Sequence, residues 1–215
     1  MRNLLFDLDG TLTDPGEGIT ACFRYALDRL GRPSPPAEEL ARYIGPPIRL
    51  AFSEILRSDD ARLIEEAVSI YRERFTSVGL YENRLYDGVP EMLANLRSAG
   101  FRLFVATSKP QVYAEKVLCH FSLDSYFDDV QGNELGGRLD DKADLVRELM
   151  MRHLLRADST VMIGDRRYDV RAAVLNGLQS VGVTYGYGTE AELRNSGVNH
   201  VIGCPNGVEV LIKTL

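Results

Sequence analysis

Three short apolar runs in this 215-residue chain each stop abruptly at polar, chemistry-bearing residues. Leu4-Leu5-Phe6 runs into Asp7-Leu8-Asp9-Gly10-Thr11-Leu12-Thr13. Leu103-Phe104-Val105-Ala106 runs into Thr107-Ser108-Lys109-Pro110. Val161-Met162-Ile163 runs into Gly164-Asp165-Arg166-Arg167-Tyr168-Asp169. Runs this short, closed by turn residues, read as buried strands. In an open α/β sheet the strand ends are where ligands bind. The two acids at the first strand end repel each other, and a bound cation is the simplest way to keep both ionised.

The segments between these strands carry helical spacing. Ile19, Cys22, Phe23, Ala26, Leu27 and Leu30 mark a helix ended by Gly31 and Pro33, and Ser34-Pro35-Pro36 is a linker. A short helix from Ala37 to Ile44 is broken by Gly45-Pro46-Pro47, and Ile48 to about Leu56 is helical again. Asp59 to about Phe75 is predicted as the longest helix, and no strand-like run is expected between residues 15 and 84. That all-helical block, 15–84, reads as an inserted domain. The core is then 1–14 with 85–215.

From Asp87 onward strands and helices alternate. Helices are predicted at Val89–Ala99, Gln111–Cys119, from Lys142, at Asp169–Asn176, at Thr189–Ser196 and at Val208–Leu215. Further strands are predicted at Asp129–Gln131, Ser180–Thr184 and Val201-Ile202, the last at an edge. Such alternation implies an α/β fold with a doubly wound parallel sheet, a Rossmann-like core.

Apolar content of 45% and charged content of 26% suit an ordinary globular protein. A net charge of −6 without any basic block argues against nucleic-acid polymer as a partner. An anionic substrate must therefore be attracted locally. The N-terminal apolar stretch is cut by Asp7 and Asp9, so no signal peptide is expected, and no apolar run reaches the ~18 residues of a membrane span. Cys22, Cys119 and Cys204 form no C-x-x-C pair and suit a reducing cytoplasm. His120, His153 and His200 fit no ligand spacing.

Phe6-Asp7-Leu8-Asp9-Gly10-Thr11-Leu12 resembles the first signature of the haloacid-dehalogenase superfamily. The hydroxyl at Thr107, a lysine at Lys142 and the acids Asp165 and Asp169 follow in the order of that family's remaining motifs, so the resemblance covers nearly the whole chain. Within the superfamily the chain is similar to the phosphoglycolate-phosphatase-like branch, including 5′-nucleotidases. Ile44-Gly45-Pro46-Pro47, Gly164 to Asp169 and Tyr185-Gly186-Tyr187-Gly188-Thr189 carry that closer likeness. Thr107-Ser108-Lys109 stands where many relatives have Thr-Asn-Lys. A Val-Ser-Arg triplet typical of sugar-phosphate mutases is absent.

The resemblance implies a Mg²⁺-dependent phosphatase acting on a small phosphorylated metabolite, with phosphoglycolate and nucleoside monophosphates as the substrate classes. Asp7 would attack phosphorus to form an acyl phosphate and Asp9 would serve as acid and base. Mg²⁺ would sit on Asp7, Asp165 and the Asp9 backbone carbonyl, with Asp169 behind. Thr107 and the Ser108 backbone N–H would hold the phosphoryl group, and Lys142 would neutralise charge beside it, with Lys109 as the rival lysine. Helix capping is the competing role for Thr107, Asp165 and Asp169. The helical insertion would be a cap that carries specificity, with Gly45 allowing close approach and Arg49 available to pair with a second anionic group. A β-phosphoglucomutase-type mutase and a receiver-like module phosphorylated on Asp7 are the alternative functions.

Overall fold

The computed structural model describes residues 3–215. It divides into two compact units, one formed by residues up to Asp14 together with Leu85–Leu215, the other by Pro15–Arg84.

The first unit is built on a six-stranded sheet of β1 (Asn3–Phe6), β4 (Arg102–Pro110), β5 (Asp129–Asn133), β6 (Thr160–Gly164), β7 (Gln179–Val183) and β8 (His200–Ile202). Their order is β5-β4-β1-β6-β7-β8, and every neighbouring pair is parallel. Every residue of β1 and β6 is buried, as expected for strands covered on both faces. The chain winds outward from β1 through β4 to β5, then returns to β6 and winds the other way. The order therefore reverses between β1 and β6, where an open α/β sheet has its ligand crevice.

One face is covered by α7 (Lys142–His153) and α8 (Arg167–Leu175). Leu145, Val146 and Leu149 of α7 and Ala172 and Ala173 of α8 pack on Leu5, Phe104, Ala106 and Met162 of the strands. The unit also contains α5 (Val89–Ser98), α6 (Gln111–His120), α9 (Glu190–Asn195) and α10 (Pro205–Thr214). β8 lies at the sheet edge.

The second unit holds α1 (Gly16–Arg29), α2 (Ala37–Leu40), α3 (Ile48–Leu56) and α4 (Ala61–Arg74). Phe23 is its centre, with ring centroids 5.2 Å from Phe52 and 5.1 Å from Tyr71. Tyr71 stacks on Phe75 at 5.4 Å.

Three expectations need correction. The predicted helix from Asp59 begins at Ala61, because the Asp60 side chain caps it by accepting from the Arg62 N–H at 2.9 Å. Residues 15–84 are not free of strand: Arg84 opens β3 (Arg84–Leu85), which pairs with β2 (Thr13–Asp14). Two-residue strands bury too little to leave a hydrophobic pattern. The third concerns Thr107 to Pro110, predicted to follow the second strand. They continue β4 instead, with a shift of register on β5 between Ala106 and Pro110.

Candidate active site

The register brings three strand ends together. Phe6 lies opposite Val105 of β4 and Ile163 of β6. Asp7 follows Phe6 directly, and Thr107 and Asp165 come two residues after Val105 and Ile163, toward the C-terminal edge of the sheet. The Asp7 N–H still donates to the Ile163 carbonyl at 2.9 Å, so its side chain starts from fixed backbone. Asp7 Oδ1 accepts from the Leu8 N–H at 2.8 Å. Gly10 then reverses the chain at φ +87°, and a Cβ there would lie 2.2 Å from Asp165 Oδ2. Glycine is thus required both by its conformation and by the approach to that carboxylate.

Lys142 is the first residue of α7, after Asp141 caps the helix by accepting from the Ala143 N–H at 2.8 Å. It shares a helical stripe with Leu145, Val146 and Leu149, so the packing that buries those leucines and valine also turns the lysine inward. Its Nζ lies 2.9 Å from Asp7 Oδ2 and also contacts Asp169 Oδ1. Asp169 Oδ2 accepts from the Arg166 N–H at 2.9 Å. The capping role of Asp169 is therefore real and leaves its other oxygen on Lys142. Asp165 is fully buried; its Oδ2 accepts from the Tyr187 N–H at 2.7 Å and its Oδ1 has no hydrogen-bond partner. Asp9 stands apart from these three: its Oδ2 is paired with Lys109 Nζ.

Thr107 is buried and its Oγ1 accepts from the Lys109 N–H at 3.2 Å. It caps no helix, since α6 begins after Pro110. Ser108 is half-buried. Gly45 (φ +101°) and Arg49 belong to the helical unit. Arg49 is held by Glu65, with Nε 2.5 Å from Oε1 and Nη2 3.1 Å from Oε2. Arg49 thus meets a carboxylate of its own unit, because α3 and α4 pack together and set the two opposite each other.

Four buried carboxylates face two buried ammonium groups here. Burial pushes Asp165 well above the usual carboxylate range, and the charges of Asp169 and Asp7 push it further. Burial also raises Asp169, against the opposing charge of Lys142. Asp9 is raised by burial despite Lys109. Burial would lower Lys142, but Asp169 and Asp7 more than offset it and leave the ammonium firmly charged. Oxygens of Asp7, Asp165 and Asp169 lie within 4.8 Å of one another. An all-oxygen donor set with excess negative charge and a buried, unpartnered Asp165 Oδ1 fits a hard divalent cation.

Three residues do more at this site than the sequence reading assigns them. Lys109 entered it only as the rival of Lys142, yet both lysines reach the acid cluster. Arg166, buried beside Asp165, is held by Glu192 of α9 at 3.0 Å. Tyr187 acts through its backbone N–H, which has no side-chain signature, although the Tyr-Gly-Tyr-Gly segment marks the place.

Comparison with known proteins agrees with this geometry. The family of haloacid dehalogenase-like hydrolases matches residues 4–183. A 5′-nucleotidase of Pseudomonas aeruginosa is 48% identical over 192 residues, covering 89% of this chain and 86% of that protein. The tyrosine-protein kinase PtkA of Mycobacterium tuberculosis is 37% identical over 185 residues, covering 86% of this chain but 62% of that protein. The crystal structure of a "predicted phosphatase" from Clostridium acetobutylicum superposes with a TM-score of 0.96 at 40% identity, covering 100% of this chain and 99% of the other. The chain belongs to the haloacid dehalogenase-like hydrolases and, within them, is a phosphatase.

Proposed function

We propose that this phosphatase is Mg²⁺-dependent and hydrolyses a small phosphomonoester through a phosphoaspartyl intermediate on Asp7. Nucleoside monophosphates stand ahead of phosphoglycolate as substrate class, because the 48%-identical relative bears the name 5′-nucleotidase. The observation that carries the mechanism is the position of Asp7. It is held at a strand end, touched by Lys142, and grouped with Asp165 and Asp169.

Asp7 supplies the carboxylate that attacks phosphorus. Lys142 lies against that carboxylate and offsets the charge of the phosphoryl oxygens. Thr107 and the Ser108 N–H bind and orient the phosphoryl group. Asp9 gives a proton to the leaving oxygen and then takes one from the water that cleaves the acyl phosphate. Mg²⁺ would be held by Asp7, Asp165 and the Asp9 carbonyl with Asp169 in support, and when bound it neutralises phosphoryl charge. The helical unit would carry substrate selection, through the loop at Gly45. A reducing cytoplasm suits the three free cysteines. No helix of the described residues is long and apolar enough to cross a membrane.

The test is phosphate release from nucleoside monophosphates, phosphoglycolate, sugar phosphates and 4-nitrophenyl phosphate, with and without Mg²⁺, beside Asp7→Asn. The variant is expected to lose at least ~10⁴-fold in turnover, as removal of a nucleophile does. Activity surviving Asp7→Asn, or an isomerised sugar phosphate without free phosphate, overturns the reading.

A further inference from the structure

The second buried lysine has a different partner from the first, and the strand that carries it is built to place it. Between Ala106 and Pro110, four steps along β4 run against two along β5, from Gln131 to Asn133. The bulged segment closes on Gly132, where a Cβ would lie 2.5 Å from the Gln111 backbone and 2.5 Å from the Lys109 carbonyl. Any larger residue would push the bulge away. The Lys109 side chain ends on Asp9 Oδ2, with 4% of its surface exposed. Asp9 Oδ1 is buried and has no hydrogen-bond partner. A buried ion pair returns little stability for its desolvation, so stability alone is a poor reason for this arrangement.

We propose that Lys109 is a positioning residue that clamps Asp9 Oδ2, so that Oδ1 is the atom that hands over the proton. This rests on the reading above, with Asp7 as nucleophile and Asp9 as acid. As the Asp7 carboxylate forms its bond to phosphorus, the bond from phosphorus to the leaving oxygen breaks. The electron pair stays on that oxygen, and the proton of Asp9 Oδ1 moves onto it. The products are a neutral alcohol, a phosphoryl group on Asp7, and an Asp9 carboxylate already facing the Lys109 ammonium. Lys142, on Asp7 and Asp169, takes no part in that proton transfer.

The probes are phenyl phosphate and 4-nitrophenyl phosphate, which are close in shape but differ in how strongly the leaving oxygen needs a proton. Lys109→Met should lower kcat on phenyl phosphate about 100-fold, the scale of a lost general acid, and on 4-nitrophenyl phosphate by about 5-fold or less, with KM unchanged. Lys109→Arg should recover part of the loss. In an Asp9→Asn background, Lys109→Met should cost nothing further. Equal losses on both esters, or a raised KM, would mean that Lys109 holds the phosphoryl group and would overturn the proposal. If Lys109→Met alone fails to fold, the Asp9→Asn protein and the charge-neutral double variant decide by themselves. Equal rates on phenyl phosphate support the clamp, and a tenfold lower rate for the double variant refutes it. Failure of the underlying reading looks different: the wild type releases phosphate from neither ester, or Asp7→Asn still does.

Discussion

The edge of the parallel sheet and the interior of the helical unit bury opposite kinds of side chain. At the sheet edge Asp7, Asp9, Thr107, Lys109, Lys142, Asp165 and Asp169 are all buried. In residues 15–84, Thr20 is the only polar or charged side chain among the described residues that is buried, and its Oγ1 donates to the Gly16 carbonyl at 2.7 Å. The charges of the helical unit pair at or near its surface, as in Arg49 with Glu65 and Arg74 with Glu82. Its interior is aromatic and aliphatic. Burying charge is costly, and a fold accepts it where chemistry needs a dry, preorganised field. The interior of the helical unit is instead held mainly by packing, as around Phe23.

Breaking the lysine bridge sharpens this contrast most. Lys142→Met leaves Asp7, Asp165 and Asp169 buried without that cation. Turnover should fall by about 10³-fold, the scale of a lost charge-stabilising group. Stability should fall by about 3–5 kcal/mol, the cost of removing one partner of a buried ion pair. Thermal melts with and without Mg²⁺ check the cause, since a divalent cation should restore much of the loss. A variant that melts like the wild type would mean that the three carboxylates do not repel one another.

The helical unit should respond to volume and not to charge. Phe23→Ala removes the ring shared by Phe52 and Tyr71 and should cost about 3–5 kcal/mol. Hydrogen exchange should show the loss confined to residues 15–84. Loss of protection at β1 and β6 instead would show that the two interiors are not independent.

The smallest effect is expected at the surface. Burial would raise Asp129, but hydrogen bonds from His153, the Val130 N–H and Arg152 outweigh it and hold the carboxyl below its usual range. Its folded value lies below its unfolded one. Its stabilisation is therefore fully present above the ordinary aspartate range and disappears as pH falls through the lowered value. Asp129→Asn should flatten that acid limb by under about 1 kcal/mol. Stability measured from neutral pH down to strong acid checks it, and an unchanged limb would show that the pair contributes nothing.

Much of the sheet edge could be read in the sequence, because buried parallel strands are short apolar runs and their ends are marked by turn chemistry. Lys142 was legible for a further reason: it lies on the same helical stripe as Leu145, Val146 and Leu149, so the pattern that buries them predicts its direction. Lys109 had no such signal. Two-residue alternation cannot be read through Thr107 to Pro110, because the register shift there depends on how β5 and Gly132 meet the strand. The pairing of β2 with β3 was equally invisible, since two residues on each strand carry no periodicity.

Local order along the chain determined the strands, most helices and the sequence of acid pair, hydroxyl, lysine and acid pair, because these depend on spacing between neighbours. Which lysine meets which carboxylate was decided only by the tertiary structure. Asp7 and Asp169 are 162 positions apart in sequence yet share Lys142. Asp9 is 100 positions from Lys109. Contacts at such separation are set by strand order and register, which place β1 between β4 and β6, and local spacing carries no trace of that choice.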